Sequence, residues 1–161
     1  MYQRILVPID GSPTSNRGLD EAIQLARLTG ASLRLIHVVD EMTFATGFET
    51  YAAYAGDVIP MMRQAGEEIL ALGKARVAAA GLDKVETQLL ESFAVRVWEL
   101  VVEQARDWKA DLIVIGTHGR RGMGRLLMGS DAEQILRMSS VPVLLVRAPE
   151  AAAAADVRRA A

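Results

Sequence analysis

Residues 111–130 read DLIVIGTHGRRGMGRLLMGS, and this stretch decides the architecture. Asp111 opens the apolar run Leu112-Ile-Val-Ile115, which has the length and composition of a buried strand. A glycine-rich loop follows, and Ser130 opens a new helix. That order builds an anion site. Glycines let backbone N–H groups approach a phosphate, and a helix N-terminus adds donors and a favourable dipole. The loop also carries Arg120, Arg121 and Arg125, with no acidic residue between Gly116 and Ser130. A chain of net charge −2 thus gathers three arginines where phosphates are expected. The first implication is a nucleotide site.

Outward from this segment, strands and helices alternate. Residues 2–9 read as a first strand, and Ser12-Pro13 as an N-cap with proline at the first helical position. Leu19, Ala22, Ile23 and Ala26 form one apolar helical stripe, and Gly30 marks its stop. A second strand is expected over 32–39, a long helix over 59–80 closed by Gly81, and a third strand over 85–90. A helix over 95–108 places Trp98, Val101, Val102 and Ala105 on one face. The fourth strand covers 111–115, a short helix 130–138 and a fifth strand 141–147. Alternation of this kind, with apolar strands, implies an α/β fold in which helices cover both faces of a parallel sheet. The connection 40–57 holds Phe44, Phe48, Tyr51 and Tyr54. It reads either as a lid or contact surface, or as a short helix whose aromatics complete the core. One domain is expected over 1–148, with the alanine-rich residues 149–161 as a flexible tail.

Composition narrows the function classes. At 161 residues the chain can bury a real core, and with 51% hydrophobic and 24% charged residues it is an ordinary globular sequence. No basic excess supports general nucleic-acid binding. The absence of cysteine excludes disulfides, thiolate catalysis and cysteine-based metal sites. No apolar run approaches the roughly 20 residues that span a bilayer. The first strand begins almost at Met1, leaving no room for a signal peptide, so the cytoplasm is the expected compartment.

Two familiar phosphate motifs nearly fit and fail. Gly119 to Gly124 has P-loop spacing, but Arg125-Leu126 stands where Lys and Ser/Thr belong. Gly122-Met-Gly124 begins a dinucleotide fingerprint, but residue 127 is leucine and the motif falls too late in the chain. The pattern that does fit is G-x2-G-x9-G-[ST], at Gly116, Gly119, Gly129 and Ser130. Together with Ile5-Leu-Val-Pro-Ile-Asp10-Gly-Ser12, Leu35-Ile-His-Val-Val39 and Val141-Pro-Val-Leu-Leu-Val146, it resembles the universal stress protein family of the UspA type, in its ATP-binding branch.

The resemblance implies a Rossmann-like five-stranded parallel sheet of order 3-2-1-4-5. Strands 1 and 4 would then be adjacent where the winding reverses. Ligands of open α/β sheets sit outside the carboxyl ends of strands at such a point, which is where Asp10 and Gly116 fall. By the same resemblance Asp10 would contact ribose, although Asp10-Gly11 is also a natural turn. Val38 would recognise adenine through its backbone, and Pro8 and Ile115 would line base and sugar. Gly116, Gly119, Gly129 and Ser130 would receive the phosphates of ATP, with or without Mg²⁺. The simpler account of Gly116 and Gly119 is a turn needing positive φ. That of Ser130 is a capping box, Ser130-Asp-Ala-Glu133. Asp131 departs from the pattern, since a carboxylate there opposes an anion, and it is expected to point outward, where it complements the helix dipole. One of the three arginines is expected on phosphate, with Arg120 the site residue. His118 reads as positional and His37 as a satisfied core group.

Phosphoryl transfer needs metal, an oriented nucleophile and charge stabilisation. The motifs supply a cradle without an evident base, so no catalytic residue is assigned and hydrolysis is expected to be slow or absent. The reading is a nucleotide-dependent regulator in a stress response, acting on a protein partner. An apolar last strand is an aggregation hazard unless covered. The resemblance implies a homodimer that covers it through Val141, Val143 and Leu145. The competing classes are a slow nucleotide hydrolase, a dimeric module that binds no nucleotide and, more remotely, a flavodoxin-like electron carrier.

Overall fold

The computed structural model describes residues 1–41, 48–93, 95–117 and 129–147, and the side chains of 48–55 and 57 lie outside that description. Among the described residues nine elements alternate: β1 Arg4–Pro8, α1 Pro13–Thr29, β2 Ser32–Asp40, α2 Phe48–Ala79, β3 Val85–Ser92, α3 Val97–Asp107, β4 Leu112–Gly116, α4 Ser130–Met138 and β5 Val143–Val146. The strands form one parallel sheet in the order β3-β2-β1-β4-β5. This is the expected class and the expected order, with the reversal of winding between β1 and β4.

Side-chain alternation along the strands sorts the core into two layers. Ile5, Val7, Leu33, Leu35, Leu112 and Val114 face α1 and α2, where Leu19, Ala22, Ile23, Ala26, Leu70 and Val77 complete the layer. Leu6, Ile36 and Ile113 face the other way, against Val101 and Ala105 of α3, its C-cap Trp108 and Ile135 of α4. The stripe read on α1 is thus the face it buries. Its start and stop are also as expected. The Ser12 side chain accepts the Ser15 N–H, Pro13 is the first helical residue, and Gly30 is left-handed with its N–H on Ala26 O. At the amino ends of the strands the Asp111 carboxylate accepts the N–H groups of Gln3 and Arg4. Arg34 lies 4.7 Å from the Trp108 ring centroid and pairs with Glu86, so that rim is tied by polar contacts.

β1, α3 and β4 differ from expectation by one or two residues at their ends, and three further boundaries differ for a reason visible in the structure. α2 begins at Phe48 rather than near residue 59 and runs through Pro60. Proline in a helix interior costs about 3 kcal/mol in isolation, which is why the sequence reads as a start there. Burial of Leu70 and Val77 on the sheet anchors the helix beyond it. Phe48, Tyr51 and Tyr54 therefore lie on the first turns of α2, and Phe44 lies outside the described residues. β3 continues to Ser92 because it pairs with β2 as far as Asp40. β5 is shorter than 141–147. The carbonyl of Pro142 accepts the Ile113 N–H, but proline has no donor to extend the ladder. The expected tail, 149–161, lies outside the described residues.

Candidate functional site

β1 and β4 are neighbours, and both end at the same rim. Past β1 the chain turns sharply. The Asp10 carboxylate accepts the Ser12 N–H at 2.9 Å, while the Asp10 N–H donates to Ser15 Oγ at 3.2 Å. Gly11, at φ 79°, carries the turn into α1. The turn-forming account of Asp10 therefore holds, and it fixes the carboxylate at the carboxyl end of β1, partly exposed.

Past β4 the chain is clasped. Thr117 is buried; its N–H donates to Val146 O at 2.9 Å, and its carbonyl accepts the Gly129 N–H at 2.8 Å. That second bond closes the segment 118–128 at its base and returns the chain to the tip of β4, where α4 starts. Gly119, Arg120, Arg121, Arg125 and His118 belong to this segment and lie outside the described residues. Gly129 itself is the N-cap of α4. Its carbonyl accepts the Glu133 N–H, and as a glycine it brings no side chain to cap the helix. The expected capping box at Ser130 is thus not formed. The helix occupies 130–138 as expected, but the clasp on Thr117 makes Gly129 its N-cap, so Ser130 is already helical, and it is exposed. Asp131 is exposed as well, as expected. The N–H groups of the first helical turn have no acceptor within the helix and line its end.

Gly116 has a different reason from the one expected. Positive φ among the described glycines occurs at Gly11, Gly30 and Gly81, not here. A Cβ on Gly116 would lie 2.8 Å from both the carbonyl carbon and oxygen of Thr14, and 3.0 Å from the Ser15 nitrogen. Glycine at 116 lets the tip of β4 press against the first turn of α1, which joins the two halves of the site. Backbone approach, not turn geometry, requires it.

Pro8, Val38 and Ile115 sit on three adjacent strands, β1, β2 and β4. Each follows by two a residue of the α3/α4 layer, namely Leu6, Ile36 and Ile113. Alternation puts all three on that face at the carboxyl rim, and all three are partly exposed. They form an apolar step beside Asp10. His37 is the satisfied core group expected, buried with Nδ1 2.7 Å from Ile9 O. Sequence reading missed Ser15 and Thr117, which hold the two turns. The Ser12-x-x-Ser15 spacing was a usable signal for the first; nothing local marks the second. A groove of about 390 Å³ between α1 and α2 reaches this rim only through Gly11. Among the described residues no three His, Asp or Glu side chains come together as a metal site.

Residues 1–147 match the profile of the Universal stress protein family. A universal stress protein of Methanocaldococcus jannaschii is 33% identical over 150 residues, 93% of this chain and 85% of the relative. Among solved structures, the universal stress protein UspA from Lactobacillus plantarum superposes with a TM-score of 0.80 over 91% of this chain and 98% of that one, at 21% identity. A universal stress protein solved in complex with cAMP is 30% identical, with a TM-score of 0.66 over 90% of this chain and 97% of that one. With the fold, the sheet order and the matched span in agreement, the chain belongs to the universal stress protein family.

Proposed function

We propose that this protein binds an adenine nucleotide, ATP foremost, at the rim between β1 and β4, and that occupancy of the site regulates a protein partner in a stress response. The observation that carries this reading is the clasp of Gly129 on Thr117. It holds the N-terminus of α4 to the tip of β4, the neighbour of β1, and the switch of winding between those strands is where open α/β sheets take ligands. In this reading Asp10 accepts from the ribose hydroxyls, and Pro8, Val38 and Ile115 meet base and sugar. The phosphates lie against Gly116, Gly119, Gly129 and Ser130, with Arg120 as their counter-charge. Asp131, on the exposed side of the helix, tempers that charge and suits a metal-bound nucleotide better than a bare one. The cAMP complex of a 30% identical relative supports an adenine ligand.

Hydrolysis is slow or absent in this reading, since Arg125-Leu126 replaces the lysine and hydroxyl of a P-loop. One domain, 1–148, carries the site, and the cytoplasm is its proposed compartment. Among the described residues no helix is long and apolar enough to cross a membrane. Assembly completes the proposal. The carbonyls of Pro142 and Val146 face β4, so by the parallel ladder the backbone groups of Val143 and Leu145 face the open side of β5. A second copy pairing there, through Val141, Val143 and Leu145, covers the edge and makes a homodimer.

Thermal melting of nucleotide-stripped protein tests the ligand. ATP, AMP, cAMP and GTP are compared, each with and without Mg²⁺. At a hundredfold excess over Kd, stability rises by about 2.7 kcal/mol, equivalent to roughly 8 °C for a chain of this length. A rise with adenine nucleotides and none with GTP is expected. No rise with any nucleotide refutes the proposal and leaves the dimeric interaction module.

A further inference from the structure

His37 stands in β2, immediately before Val38, and its imidazole is buried at 7% exposure on the face that α2 covers. Gly66 of α2 lies over it. A Cβ there would come within 2.7 Å of His37 Cδ2 and 2.6 Å of Leu89 Cδ1, so the missing side chain leaves room for the ring between helix and sheet. Nδ1 is 2.7 Å from the carbonyl oxygen of Ile9. A carbonyl only accepts, so Nδ1 carries the proton and donates.

Ile9 is consequently held on both sides by β2. Its N–H donates to Ile36 O at 2.8 Å, and its carbonyl accepts a hydrogen bond from the imidazole Nδ1–H. The next residue is Asp10, and from there the chain is fixed bond by bond. Asp10 binds Ser12 and Ser15, the Ser15 N–H donates to Ser12 Oγ, and the backbone of Thr14 and Ser15 meets Gly116. The bond that satisfies this buried imidazole is thus made to the last carbonyl before Asp10, so the core group and the turn share one contact.

We propose that His37 is a positioning residue for the nucleotide, holding Asp10 at the carboxyl end of β1 through the carbonyl of Ile9. This rests on the adenine-nucleotide reading above. Two variants of the full chain separate positioning from packing. His37→Asn keeps an N–H donor near the place of Nδ1 but loses volume, whereas His37→Leu keeps volume and loses the donor. Isothermal titration with ATP should find the Asn variant within about threefold of wild type although it melts lower, and the Leu variant weakened about tenfold. In an Asp10→Ala background, His37→Leu should change the affinity no further. Affinities that follow the two melting temperatures, or a Leu variant that binds like wild type, overturn the proposal.

A readout without nucleotide keeps the two claims apart. The Asp10 and Ser12 amides should shift in NMR spectra and lose protection from hydrogen exchange in His37→Leu, and stay in place in His37→Asn. If wild type binds no adenine nucleotide, the proposed function falls. Unmoved amides in His37→Leu overturn the positioning role whether or not nucleotide binds.

Discussion

Gly116→Ala adds one methyl group at the point where β4 meets α1. The new Cβ would sit 2.8 Å from two backbone atoms of Thr14 and 3.0 Å from the nitrogen of Ser15. None of these can rotate away, because they belong to the first turn of a helix capped by Ser12 and packed through Leu19 and Ala22. Relief therefore requires α1 and the strand tip to separate. Forced methyl groups in packed interiors cost about 1–3 kcal/mol, and a rigid backbone neighbour places this one in the upper half of that range. At roughly 2.1 cal/mol/K per residue, a loss of about 2–3 kcal/mol lowers Tm by roughly 6–9 °C.

Urea unfolding measures this directly, with the midpoint falling and the slope m unchanged. Gly56→Ala provides the control, since a Cβ at Gly56 meets nothing within 4 Å on α2. There the same change should stabilise by up to about 1 kcal/mol through helix propensity. If Gly116→Ala is as stable as wild type, or moves with Gly56→Ala, the close-approach account is wrong. The same contact means that loss of nucleotide binding on enlarging Gly116 reports damaged architecture rather than a lost ligand contact.

Three further outcomes follow from the same geometry. Ser12→Ala removes the N-cap of α1 and should cost about 1 kcal/mol, read as a lower urea midpoint; no change would show that the cap contributes nothing here. Asp10→Asn retains an oxygen for the Ser12 N–H, so it should unfold within about 0.5 kcal/mol of wild type yet bind ATP at least about tenfold more weakly. Equal affinity would remove Asp10 from the ribose. Leu145→Pro deletes a donor on the open side of β5 without touching the ladder to β4, and sedimentation should find monomers where wild type is dimeric. A dimeric variant would move the interface elsewhere.

The contiguous signals of this chain were enough for the class of fold. Ser12-Pro13 and Gly30 delimit α1 because capping and left-handed backbone are preferences of single residues. The apolar stripe of α1 and the runs in β1, β2 and β4 announce buried faces because their periods are local. Glycine spacing after β4, with Asp10 after β1, pointed to one rim once the strand order was known.

What only the tertiary structure decided are the contacts that bring distant segments together. Whether the N-cap of α4 is Gly129 or Ser130 depends on a bond to Thr117, twelve residues earlier, which no capping pattern encodes. Gly116 needs to be glycine because of Thr14, a hundred residues away, not because of its own φ. α2 passes through Pro60 because its later turns bury on the sheet. His37 reads from sequence as one more core residue, and only the register of β1 on β2 sets its Nδ1 against Ile9. Local preference is written in neighbouring residues, whereas packing distances arise only when the sheet closes and its helices settle on it.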